Sequence, residues 1–272
     1  MHTGIIHETF SGPIDPRWTV HQVGRGLVQT RSDGLWFTLP AIQGNTAGYH
    51  DAQITDYAYP PGVFQYRPPL RLTVTARATA AADQLVGTAG FGFWNHPFSP
   101  EIRRLPRLPR VVWFFFASPP NNMALAAGVP GSGWKAATLD AGRPGALAMI
   151  PAALPLMLAM RVPRFSTPLW AGIQRRLCIS EKLLAGDLLA ARHTYALEWT
   201  MNGARFFVDD RLVHESPYAP RGACGFIAWM DNQYAIATPQ GRLGFGVIPV
   251  PREQSLILET LTIEPLERRP QP

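Results

Sequence analysis

From His193 to His214 the chain runs through three short segments separated by turn residues. In the first, Tyr195, Leu197 and Trp199 alternate with Ala196, Glu198 and Thr200; Arg205-Phe-Phe-Val208 and Arg211-Leu-Val-His214 follow. Successive side chains of a strand point to opposite faces, so this spacing predicts antiparallel strands. Asn202-Gly203 is the expected first turn, because a tight two-residue hairpin needs positive φ at both central positions, and Asp209-Asp210 the second. The same signal recurs at Leu35–Leu39, Leu70–Arg77, Gly90–His96, Val111–Ala117, Gly225–Asp231, Gly241–Ile248 and Leu256–Ile263. Such a chain folds as an all-β sandwich.

Composition agrees. Charged residues make up only 16% of the chain, so Pro, Gly and short polar residues must build much of the surface, as in a turn-rich β protein. The net charge of +6 is almost wholly arginine, with Lys135 and Lys182 the only lysines. The one local basic cluster, Arg103, Arg104, Arg107 and Arg110, is interrupted by prolines and reads as a solvated loop; no nucleic-acid partner is expected. Cys178 and Cys224 are too few for a disulfide framework, and Met1-His-Thr-Gly-Ile-Ile-His-Glu8 resembles no secretory leader. These features predict a cytoplasmic protein with free, inert thiols.

Residues 121–192 interrupt the β pattern. Ala146–Leu158, Pro168–Leu177 and Ser180–Ala191 read as helical, the last opening at an N-cap serine. The expected organisation is one β-sandwich domain over 1–264 with a mostly helical, Met- and Leu-rich insertion, then a Pro-rich tail at 265–272. The apolar run Gly145–Met160 is too short to span a bilayer and carries Pro151 and Pro155. A cover over the sandwich, or a peripheral membrane contact through Ala146–Met160, are its readings.

The run from His193 through Asn202-Gly203 and Val208-Asp-Asp210 to Glu215 resembles family 16 glycoside hydrolases, and Leu256–Glu264 resembles the last strand of such folds. The resemblance covers the C-terminal third. It implies a concanavalin A-like jelly-roll sandwich of two curved antiparallel sheets, with a ligand cleft on the concave face. It also implies a retaining carboxylate pair on a Glu-x-Asp-x-x-Glu strand, but that motif occurs nowhere in the chain. The strand in the corresponding place, Val111–Ala117, offers Trp113 and Phe115 instead.

Candidate chemistry therefore lies elsewhere. Alternation places Ile227, Trp229 and Asp231 on one face, so a cleft-facing Asp231 would sit among aromatics; desolvation would raise its pKa into the range of a general acid or base. Asp51, Asp56 and His96 are its candidate partners. Trp94, Asn95, Trp113, Phe115, Trp229, Asn232 and Tyr234 are the candidate ligand contacts. Nothing matches a zinc pattern and no cofactor is implied, although the Asp51–Asp56 loop is a candidate for structural Ca²⁺.

A helical lid over an aromatic cleft predicts a small hydrophobic ligand, with Asp231 driving proton-initiated cyclisation or isomerisation. The alternatives are a non-catalytic carbohydrate-binding protein and a glycoside hydrolase with relocated carboxylates.

Overall fold

The computed structural model describes residues 4–41, 48–58, 63–96, 107–238 and 242–266. In chain order the strands begin with β1 (Ile6–Glu8), β2 (Thr19–Val23), β3 (Leu27–Arg31), β4 (Gly34–Leu39), β5 (Asp51–Thr55) and β6 (Leu70–Ala78). Next come β7 (Thr88–Trp94), β8 (Arg110–Ala117) and β9 (Gly133–Asp140). A helical segment follows, with α1 (Pro144–Leu147), a 3-10 turn (Ile150–Ala152), α2 (Ala153–Met160) and α3 (Pro163–Arg176). The chain then returns through β10 (Ser180–Leu183), a single turn α4 (Asp187–Ala190), β11 (His193–Trp199), β12 (Ala204–Val208) and β13 (Arg211–Ser216). It closes with β14 (Gly225–Asp231), β15 (Gln233–Ala237), β16 (Leu243–Val247) and β17 (Gln254–Pro265).

Two antiparallel sheets form a sandwich. One orders its strands β13-β12-β11-β6-β17-β4-β3, with β1 also on β17; the other runs β10-β9-β8-β7-β14-β5-β2. β15 and β16 make a separate hairpin. Strand alternation sends Phe91, Phe93, Val112, Phe114, Phe116, Trp134, Phe226 and Met230 of the second sheet into the core. There they meet Leu72, Val74, Tyr195, Leu197, Trp199 and Phe206 of the first. Phe114 is a hub of this layer. Its ring lies 5.6 Å from Phe91 and 5.9 Å from Trp134 on its own sheet, and 5.1 Å from Tyr195 and 5.3 Å from Phe206 across the sandwich.

The interruption at 121–192 is less helical than its composition predicts. It contains β9 and β10, which extend the second sheet, and the helices α1–α3 are confined to 144–176. Ser180 opens a strand, not a helix: Ser180-Glu-Lys-Leu183 pairs in register with Thr138 back to Lys135. Edge pairing outweighs the weak helix preference of that sequence. The hairpin prediction is also corrected. Between β11 and β12 the Thr200 hydroxyl accepts from the backbone N–H groups of Asn202 and Gly203, making a four-residue loop. The two-residue turn with positive φ at both positions is Asp209–Asp210, at 48° and 61°.

Of the basic cluster, Arg103 and Arg104 lie outside the described residues. Arg110 is no loop residue; it opens β8 and pairs with the buried Asp140 at 3.1 Å. Both cysteines are buried and unbonded to each other.

Replacing Phe114 with Ala removes a ring that touches both sheets. The expected cost is about 3–5 kcal/mol, read as a lowered urea midpoint.

Candidate functional site

The outer face of the second sheet, opposite the core, carries its own apolar cluster of Phe115, Ala117, Ile227 and Trp229, with Trp94, Trp113 and Met123 packed on it. The rings run as a strip. Trp94 lies 6.0 Å from Trp113; Trp113 stacks on Phe115 at 5.2 Å and 13°, and meets Trp229 at 5.2 Å. Trp94 and Trp113 are half-buried, whereas Phe115 and Trp229 are buried, Met123 packing against their end of the strip. β7 makes room for this layer with glycines. A Cβ on Gly90 would stand 2.3 Å from the Phe114 carbonyl oxygen and 2.9 Å from the Trp229 ring, and one on Gly92 would stand 2.5 Å from the Trp113 Cβ.

Polar groups close both ends of the strip. At one end Thr88 Oγ1 donates to Asp231 Oδ1 at 2.8 Å while accepting from Trp229 Nε1 at 2.9 Å, and the Gln233 N–H donates to the same carboxylate oxygen at 3.0 Å. Asp51 stands opposite Asp231 in register on β5. Directly opposed residues in an antiparallel pair hold their Cβ atoms about 5 Å apart. Both carboxyls are buried, and Asp51 Oδ1 has no hydrogen-bond partner among the described residues. Burial lifts the Asp231 carboxyl to about 6, against the pull of its Thr88 and Gln233 hydrogen bonds. Asp51 is raised well above the ordinary carboxylate range, first by burial and then by the neighbouring Asp231 charge.

At the other end Trp94 Nε1 donates to Tyr57 Oη at 2.6 Å, and Tyr57 Oη lies 3.4 Å from His96 Nδ1. The ends lie six residue steps apart along β14, about 20 Å of strand.

The structure thus brings Asp231, Asp51, Trp229, Phe115, Trp113 and Trp94 onto one face. It separates the remaining candidates. Asp56 sits past the far end of β5, where burial lifts it to about 7 and it accepts the Phe226 backbone N–H; His96 shares that end. Asn95 closes the β7–β8 connection, donating to the Leu108 carbonyl and accepting from the Arg110 N–H. Asn232 is fully buried and satisfied by His50, Gly48 and Ile248. Tyr234 belongs to the β15–β16 hairpin. Among the described residues, no three His, Cys, Asp or Glu side chains converge on a point that could hold a metal ion.

Sequence reasoning missed one charged pair. Lys135 is buried on β9, 3.8 Å from Glu181 of β10. Burial lowers the lysine and raises the glutamate, each opposed by its partner. The signal was Ser180–Leu183 as a strand, whose pairing brings Glu181 to that face.

The expected lid also takes a different form. The helical layer and the hairpin enclose a cavity of about 350 Å³ lined by Leu125, Met149, Leu156, Met160, Trp170 and Leu243, among other residues. No carboxylate and no ring of the aromatic strip lines it. Apolar cavity and aromatic strip are separate features.

Solved structures match this architecture throughout. The fold is that of the concanavalin A-like glucanases. A glycoside hydrolase family protein from Mycobacterium thermorestibile superposes with a TM-score of 0.53 at 10% identity, over 95% of this chain and 99% of that one. The Bacillus licheniformis β-glucanase gives 0.50 at 12% identity, over 98% and 100%. The Crh5 transglycosylase in complex with NAG gives 0.51 at 12%, over 97% and 84%. No protein-family model matches the chain, and no curated protein matches it in sequence.

The Asp231 carboxyl gives a pH test. Its proton is held more tightly folded than unfolded, so the folded state loses relative stability as pH rises from near 4 to about 6. Asp231→Asn removes that term. Across this window the variant should gain on the wild type by on the order of 2 kcal/mol in urea denaturation.

Proposed function

We propose that the protein binds carbohydrate on the outer face of the second sheet, with sugar rings stacked on Trp94 and Trp113. The observation that carries this reading is the strip itself. Two half-buried indoles stand side by side, 6.0 Å apart, on the outer face of the second sheet. A solvated aromatic face offers sugar C–H groups a flat apolar platform, while the polar ends offer hydrogen bonds. The Trp94–Tyr57–His96 chain at one end orients an edge indole that would otherwise rotate. The fold's association with glycoside hydrolases and transglycosylases supports a glycan over a terpene-like molecule, and the separation of Asp231 from the apolar cavity removes the setting that cyclisation required.

The facing of Asp51 and Asp231 favours a second reading, in which the bound glycan is cleaved or transferred. Their opposed Cβ atoms, about 5 Å apart by register, are compatible with the carboxyl spacing of about 5–5.5 Å that a retaining mechanism uses. Asp51, kept protonated, would give its proton to the glycosidic oxygen as Asp231 attacked the anomeric carbon. Water would then displace Asp231 from the glycosyl-enzyme, with Asp51 taking a proton from that water.

Titration calorimetry against a panel of soluble oligosaccharides separates the readings. Trp113→Ala should weaken binding by up to about tenfold with the fold intact; binding unchanged in this variant would overturn the site. If reducing ends are released, Asp231→Asn should lower kcat/KM by about 10²–10⁴ while binding persists. Binding without turnover leaves the first reading alone.

A further inference from the structure

The helix α2, Ala153-Leu-Pro-Leu-Met-Leu-Ala-Met160, contains no polar side chain. A helix apolar on every side belongs in a protein core or in lipid. Here Leu154 is 68% and Leu158 54% exposed, and on the adjoining hairpin Leu243 is 73% and Phe245 90% exposed. Exposed apolar side chains gathered on one helix and the adjoining hairpin suit a docking surface. Its charge identifies what it docks on. From residue 141 to 180 there is no Asp or Glu, and Arg161, Arg164, Arg175 and Arg176 are exposed there, with Arg242 on the hairpin. An apolar helix edged only by cations complements an anionic lipid surface. No helix among the described residues is long and apolar enough to cross a membrane; an apolar helix of this length suits a position in the plane of the interface.

The apolar cavity opens at the same place. Ile150, Met157 and Leu243 both line it and are exposed, at 54%, 39% and 73%. Its rim is therefore part of the docking surface. The volume of about 350 Å³ falls within the range of small-molecule pockets, and its lining is suited to an alkyl chain.

We propose that the helical layer and the β15–β16 hairpin dock on an anionic membrane surface, and that the cavity takes up one acyl chain of a lipid from it. This proposal is independent of the glycan reading, because it uses none of the residues on the aromatic strip.

Vesicle flotation tests the docking. The protein should float with vesicles of phosphatidylcholine and phosphatidylglycerol and far less with phosphatidylcholine alone. Leu154→Asp with Leu158→Asp, two exposed positions whose change leaves the core intact, should lower partitioning at least tenfold with an unchanged circular dichroism spectrum. Arg161→Gln with Arg164→Gln should lower it roughly thirtyfold on the anionic vesicles. Absence of flotation, equal flotation of the folded Leu154/Leu158 variant, or a concentration-dependent dimer that the same variant abolishes would overturn it; the last would assign the surface to a second copy of the chain.

Trp170 reports on the cavity. Phospholipid brominated along its acyl chains should quench a component of the fluorescence that Trp170→Phe removes. Equal quenching of wild type and that variant, with both bound to vesicles, would overturn acyl-chain uptake.

Discussion

Strand β7 carries two opposite requirements in four residues. Phe91 and Phe93 point inward to the core, and Gly90 and Gly92 leave the outer face bare. The inner rings hold the sheets together through Phe114, Tyr195 and Trp199. The bare outer face lets Trp113 from β8 and Trp229 from β14 approach each other across the strand between them. A side chain at either glycine would collide with backbone and with a tryptophan side chain, so the site cannot be kept while β7 is given an ordinary strand sequence. Fold and site depend on the same four residues, and the glycine cost in strand stability is offset by aromatic packing on both sides.

This layering explains why β8 reads as a continuous apolar run. Val112, Phe114 and Phe116 serve the core, while Trp113 and Phe115 serve the outer cluster. Trp113 and Phe115 stand where the resemblance read from the sequence implied carboxylates. The carboxyls the protein does place on this face stand at its edge, where Thr88 links Asp231 to the Trp229 indole. In that position Asp231 holds the end of the aromatic strip in orientation, whatever else it does.

The strands and their faces were legible because period-two alternation survives wherever one side is buried, as in β6 and β12. β9 and β10 were not, since Lys135 and Glu181 look like surface residues until their pairing buries both. The turn at Asn202-Gly203 was misread because Thr200, just before it, supplies its own hydroxyl as a local hydrogen-bond acceptor. On the candidate site, alternation put Asp231 and Trp229 on one face, but only strand order could select Asp51 over Asp56 as the neighbour. The insertion's apolar character was evident in sequence. Its location over a cavity of its own, away from the strip, depends on tertiary contacts that no local pattern encodes.

The central claim is that the Trp94–Trp113 strip is a carbohydrate platform. Indole N–H resonances of the ¹⁵N-tryptophan-labelled protein, assigned by Trp94→Phe and Trp113→Phe, follow each ring separately during titration with an oligosaccharide that binds. The account predicts saturable shifts for Trp94 and Trp113, a smaller shift for the buried Trp229, and none for Trp170 in the helical layer. Saturation that moves Trp170 and leaves Trp94 and Trp113 in place would contradict it.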